Sequence, residues 1–261
     1  MLFASDNLAR GFVLVISIVV CELGFSADIR NGHCFAGCPK SPAQGSEYDN
    51  ALIIRPIYTL SYNSSTKVAD WAAYTVTVDS IGVASNLSRV PIPDNYLSST
   101  LAADDFSQEI DAPFVLGRLV PLLNFSGTPF WQDINYSSNG IPISRSLNAG
   151  AWNGLDWSIR NLVNRVGKVF VLAGPIYFTP PQVASLETVV QHQVPDAYFK
   201  LVISEAGASS VFILNQNLPV HTHHCNLTST LDEVQRMTGL NLLPGLNKLP
   251  LSSLDAALGC G

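Results

Sequence analysis

Four polar residues stand at spacings that could do chemistry. Asn153, Asp156 and Arg160 lie at i, i+3 and i+7 of a stretch in which Trp152, Leu155, Ile159, Leu162, Val163 and Val166 recur at steps of three and four. This spacing predicts an amphipathic helix over residues 150–166, stopped by Gly167, with the three polar residues on the face opposite the apolar stripe. Asn148 stands just ahead of it, near the positive end of the helix dipole. An amide oxygen, a carboxylate and a guanidinium on one edge can hold a hydrated Mg²⁺ and steady a phosphate. Spacing alone fits a plainer arrangement better, an Asp156–Arg160 helical ion pair with Asn148 as cap.

A second group is built from His33 beside Cys34, and from His221, His223 and His224 leading into Cys225. What it can do depends on the compartment. Arg10 precedes an apolar run over residues 11–21, Glu22 ends the run, and Phe25-Ser26-Ala27 offers a small-residue cleavage site. Residues 1–27 therefore read as an export signal, since a membrane-spanning helix needs about 20 apolar residues. A retained anchor is the alternative; lipid attachment at Cys21 is disfavoured by bulky Val20. Export leaves Cys34, Cys38, Cys225 and Cys260, an even set that implies two disulfides in one of three connectivities. A zinc site on these sulfurs and histidines stays open as the lesser reading.

These residues need a scaffold, and 261 residues suffice for a large core. The chain is 47% hydrophobic and only 13% charged, against a usual charged share of about 25%. Its 18 Gly and 16 Pro favour strands and turns over long solvated helices, and apolar residues recur throughout, which argues against disorder. Strands are expected over residues 52–60 (interrupted by Pro56), 68–78, 114–123, 168–173, 198–204 and 210–214. The 114–123 run is read as one buried strand, Gly174-Pro175 as a turn, and Ser229 as the cap of a helix closed by Gly239. Residues 28–261 read as one α+β domain. The net charge is −6, or −5 once Asp6, Arg10 and Glu22 leave with the signal. That balance counts against nucleic acid as the present ligand, because phosphate contacts by Lys and Arg supply most such affinity.

Leu147-Asn148-Ala149-Gly150-Ala151-Trp152-Asn153-Gly154-Leu155-Asp156, continuing to Arg160, resembles the metal-helix segment of the DNA/RNA non-specific endonucleases. These ββα-metal enzymes include bacterial exported nucleases and the mitochondrial endonuclease G group. Tyr58-Thr59-Leu60-Ser61-Tyr62-Asn63 and Thr66-Lys67-Val68-Ala69-Asp70-Trp71 resemble the family's opening hairpin, and Lys168 to Tyr177 the strand after the metal helix. Val194-Pro195-Asp196-Ala197-Tyr198-Phe199-Lys200, and Leu231-Asp232-Glu233-Val234 with Thr238-Gly239-Leu240, match its C-terminal half. The ordered likeness spans roughly residues 31–245. It implies a ββα-metal nuclease-like fold with a central, mainly antiparallel sheet and flanking helices.

The resemblance also implies roles. The family's metal-binding Asn falls on Asn148, its supporting Glu on Asp156, and its phosphate-holding Arg on Arg160. Its signature Asp-Arg-Gly-His, followed two residues later by a small residue and Pro, falls on Val115-Leu116-Gly117-Arg118 and Leu119-Val120-Pro121. The position of the general base is thus Arg118. A guanidinium stays protonated at any usable pH and offers no lone pair. It also sets a fixed charge beside the metal position. An arginine in an apolar strand should be neutralised by a neighbouring carboxylate.

The reading is therefore an exported, nuclease-fold protein that has lost catalysis and acts as a binding or structural part of an envelope or extracellular assembly with an unidentified protein partner. The alternative is an active Mg²⁺-dependent endonuclease with a substitute base, for which His33 or the His221/His223/His224 group are the histidine candidates. Binding of nucleic acid without cleavage, through Arg118, Arg160 and Arg165, is the weakest reading on charge. A periplasmic or extracellular location is expected. Asn63, Asn86, Asn124, Asn135 and Asn226 each open an Asn-x-Ser/Thr sequon, which matters only in a eukaryotic secretory route.

Overall fold

Pro56 divides the first strand-forming run, because it has no N–H to give to a ladder. The result is two strands, β1 (Asn50–Ile54) and β2 (Thr59–Asn63), joined by a corner in which the Arg55 amide donates to the Tyr58 carbonyl at 2.8 Å. This computed structural model describes residues 31–41, 50–106, 112–183, 186, 193–246 and 252–261. The expected signal over residues 1–27, with Cys21, lies outside the described residues. β3 (Val68–Thr77) pairs antiparallel with β2.

The run over 114–123 departs from expectation. Only Phe114–Arg118 forms a strand, β4, and it pairs antiparallel with β5 (Gly140–Ser144) in a separate two-stranded ribbon rather than in the main sheet. Pro121 cannot donate to a ladder, and buried Asn139 turns the chain away. The Asn139 Oδ1 accepts from the Val120 amide at 2.8 Å, while its Nδ2 donates to the carbonyls of Val120 and Ile134, each at 2.9 Å. Lying outside the sheet, β4 is half-buried, not buried.

The predicted helix begins earlier than expected and is not continuous. Ser144 caps a single turn, α1 (Arg145–Leu147), by accepting from the Leu147 amide. The chain then passes through a wide turn over Asn148–Trp152, kinked at Gly150 (φ −96°, ψ −113°), into α2 (Asn153–Val166). Gly150 is required there: a Cβ would run into the carbonyl of Val220. Gly167, at φ 84°, ends the helix as expected.

β6 (Lys168–Ile176) runs straight through Gly174 and Pro175, so these residues do not form the expected turn. Its pairing with β3 ends at Ala173, and residues 174–176 pair only with β7 (Ala197–Ser204). Pro175 thus sits where one side of the strand has no ladder to supply. β8 (Ser209–Asn215) and β9 (Thr228–Ser229) follow, and α3 (Leu231–Thr238) is capped by Thr230, one residue later than the expected Ser229, with Gly239 in the left-handed conformation behind it. The Ser229 hydroxyl donates instead to Glu233 Oε2 at 2.7 Å.

The seven-stranded sheet has the order β1-β2-β3-β6-β7-β8-β9 and is antiparallel throughout. Alternation along β7 divides two cores. Tyr198 and Val202 face α2, whose Leu155, Ile159, Leu162 and Val163 pack on the sheet together with the ribbon. Phe199, Leu201 and Ile203 face α3 and the N-terminal segment. No described helix is long and apolar enough to cross a membrane.

The four cysteines form Cys34–Cys38 and Cys225–Cys260. Their sulfurs are consumed in these bonds, which removes the zinc alternative: His223, His224 and Cys225 have ligand atoms within 4.8 Å of one another, but the sulfur is no thiolate. The second bridge, closing a sequence separation of 35, ties the chain end back to the loop before β9 and contributes about 2–4 kcal/mol.

Candidate functional site

The ribbon and the helix after it form a β4–β5–α2 unit, and the residues of interest lie along it. Gly117 has no room for a side chain, because a Cβ would meet Ile143 across the ribbon. Arg118 ends β4 opposite Gly140. Its Nη2 donates to Asn135 Oδ1 and to the carbonyl of Arg89, both at 2.8 Å, and Asn135 Nδ2 donates on to the Ser88 carbonyl at 2.9 Å. Among the described residues, the expected neutralising carboxylate is not there. The ribbon delivers the guanidinium to the 88–92 loop and to Asn135, which present neutral oxygens. Burial, and then the charge of Arg89, depress the pKa of Arg118, and it stays protonated nonetheless.

Asn148 sits half-exposed between α1 and the kink, and among the described residues its side chain makes no hydrogen bond. Asp156 and Arg160 are brought close enough to feel each other's charge, yet they form neither the expected ion pair nor a shared solvent face. Asp156 follows Trp152 by four and precedes Ile159 by three, which turns it onto the buried stripe; Asn153 alone of the three is exposed. The Asp156 Oδ1 accepts from Lys200 Nζ at 2.5 Å, both side chains being buried, and the ammonium lies 3.7 Å from the centre of the Trp152 ring. Burial lowers the pKa of Lys200 and Asp156 opposes this. The Arg160 Nη1 donates to Asn124 Oδ1 at 3.0 Å. Three buried atoms in this region have no partner among the described residues: Tyr74 OH, Asn124 Nδ2 and Asp156 Oδ2. Burial, then the charge of Asp156, push the Tyr74 phenol well above its ordinary range.

Sequence reasoning gave no place at the site to Lys200, Asn124, Asn135, Arg89 or Tyr74. Lys200 had a signal, being the one cation in the otherwise apolar Ala197-Tyr198-Phe199-Lys200-Leu201-Val202-Ile203; such a charge must find a buried partner. Asn124 and Asn135 are buried and could not carry a glycan. The histidine candidates stand elsewhere. His33 lines a small cavity with Ala73, Phe170 and Leu242 on the α3 face, its Nε2 3.2 Å from the Arg55 carbonyl. His224 stacks on His223 and places Nε2 3.1 Å from the Leu258 carbonyl.

Burial lowers the pKa of both His33 and His224, against carbonyl contacts that raise it. The folded state then binds these protons less well than the unfolded chain, whose histidines titrate near 6.5. Stability is full above that value and falls as pH drops through it toward the lower folded values. The melting temperature should therefore fall between about pH 7.5 and pH 5.5, and a His33→Gln, His224→Gln double variant should flatten the fall. An equally steep fall in the double variant would assign it to other groups.

A family model described as DNA/RNA non-specific endonuclease matches residues 41–249. The chain belongs to this family. A nuclease of Serratia marcescens is 32% identical over 235 residues, covering 87% of this chain and 86% of that protein. Nuclease C1 of Cunninghamella echinulata var. echinulata is 27% identical over 226 residues, covering 79% and 88%. Among solved structures, the crystal structure of the EndoG/EndoGI complex matches with a TM-score of 0.63 at 18% identity, over 76% of this chain and 87% of that one. The fold is thus the mainly antiparallel, ββα-metal nuclease fold.

Against that family, the residues at this chain's site divide in two. The helix half keeps acceptors in the Asn148 amide and the unpartnered Asp156 Oδ2. Its carboxylate, however, is already paired with an ammonium, and the strand half presents a guanidinium and two aliphatic side chains. Two cations, Lys200 bonded to the one carboxylate and Arg160 within reach of its charge, do not fit a divalent cation, which takes anionic and neutral oxygens.

Proposed function

We propose that this protein is an exported member of the family that engages its ligand without hydrolysing it, as a binding or structural component of an envelope or extracellular assembly. Arg118 at the end of β4 carries this reading. Hydrolysis needs a group that can take a proton from water near neutral pH, and a guanidinium hydrogen-bonded to two neutral oxygens cannot. Val115 and Leu116 remove the polar partners as well. Two disulfides support an oxidising compartment.

The second reading, a Mg²⁺-dependent endonuclease with a substitute base, has kinship behind it. The relatives carry the name nuclease, and descent alone weighs for hydrolysis rather than against it. The hydrogen bonds of His33 and His224 tie these two candidates to the Arg55 and Leu258 carbonyls. Incubating the purified protein with plasmid and with RNA in Mg²⁺ or Mn²⁺ separates the readings. No cutting above a chelated control is expected; robust, chelator-sensitive cutting would sink the first reading and establish the second.

A further inference from the structure

Arg118 and Arg89 are two guanidinium groups that meet no carboxylate among the described residues. Arg118 spends only its Nη2 on protein acceptors, which leaves Nη1 and Nε as donors without a partner among the described residues. Arg89 is exposed and makes one long contact, from Nη1 to the Leu87 carbonyl at 3.4 Å. Each of these two arginines therefore keeps N–H donors free for a ligand.

Two described acids of the neighbouring segments have Arg55 as their cation. Asp94 takes Arg55 at 2.9 Å and the Ser138 hydroxyl at 2.7 Å, and Asp133 feels Arg55. Arg118 is a half-buried cation, and among the described residues the charge that bears on it is that of another cation, Arg89. Such an arrangement is unfavourable alone and becomes favourable when an anion bridges the pair.

We propose that Arg118 and Arg89 form a phosphate-oxyanion site that works without a metal, the fixed charge of Arg118 supplying the neutralisation that a bound cation would otherwise bring. This rests on the reading that the histidine route to hydrolysis is lost. The planar fork of a guanidinium matches two oxygens of a phosphate monoester or diester. The net charge of −6 sets the size of the ligand. A long duplex needs many phosphate contacts, and this chain offers one local pair in an acidic whole. The occupant is therefore a single phosphate group, free or as the diester of a short nucleic acid.

The test is calorimetric titration of the full chain with inorganic phosphate and with a thymidine dinucleotide, both in EDTA. Saturable binding in chelator is expected, weakened about tenfold by Arg118→Gln and by Arg89→Gln, the loss expected for removing one hydrogen bond to a charged group. Tighter binding of the dinucleotide assigns the site to diesters, and equal or tighter binding of inorganic phosphate assigns it to the free anion. The Arg118→Gln side chain is too short to reach the Asn135 and Arg89 acceptors that Nη2 holds, so its melting temperature is measured alongside; Arg89 is a surface residue, and Arg89→Gln carries the test on an intact fold. Binding that disappears in EDTA, or that survives both substitutions, overturns the proposal. Metal-dependent cutting of plasmid would remove the non-hydrolytic reading while leaving chelator-resistant binding in place, so the two can fail separately.

Discussion

Lys200→Met is expected to destabilise the protein by about 3–5 kcal/mol, because it leaves the Asp156 carboxylate buried without its counter-charge. In a chain of this size that corresponds to a fall in melting temperature of about 6–20 °C. The ammonium is fully buried, bonded to Asp156 Oδ1 and seated on the Trp152 ring, so water cannot replace it. Methionine fills a similar volume, which keeps the packing loss small beside the charge effect. The double variant Lys200→Met, Asp156→Leu should recover most of the loss, since exchanging a whole buried pair for apolar groups is often neutral or stabilising. A Lys200→Met protein within about 1 kcal/mol of the parent would show that the pair is screened like a surface ion pair. The comparison bears on function too, because this pair binds α2 to the sheet and fixes where Asp156 can reach.

The sequence pattern and the folded chain part company over distance. The strands, the helix stop at Gly167 and the cap region of α3 depend on neighbours a few residues away, and period and turn chemistry locate them. Asp156 shows the limit. Its i, i+3, i+7 relation to Asn153 and Arg160 is real, but its spacing from Trp152 and Ile159 places it equally on the apolar stripe. Lys200, 44 residues away, decides between the two. Arg118 is similar. Its chemistry was legible in the residue type, but its partners lie 29 and 17 residues off in a loop and a short turn, and no periodicity reports them. Pro175 and the end of β4 turned on which strand stands alongside, which is again a matter of topology. The order of the family segments, by contrast, needed no geometry at all.

Restoring the family's strand residues with Val115→Asp, Leu116→Arg and Arg118→His is expected to raise cutting above that of the parent. Position 118 then holds an imidazole, which is largely neutral above its usual pKa of about 6.5 and can take a proton from water. General-base catalysis alone is worth at least about 10²-fold, so plasmid nicking should rise from background to a measurable rate. It should require Mg²⁺ or Mn²⁺ and increase with pH as the imidazole loses its proton. The backbone is ready for the exchange: β4 keeps its register against β5, with position 118 opposite Gly140 and Gly117 closed against Ile143. Val115 and Leu116 are only half-buried at the margin of the core, so the polar replacements should cost about 1–3 kcal/mol rather than the fold. Arg118→His alone should do less, because it leaves both aliphatic neighbours in place. If the triple variant folds, melts cooperatively and still does not cut, the loss reaches beyond the strand. The helix half would then be the second lesion, with Asp156 held by Lys200 where it can no longer support a cation.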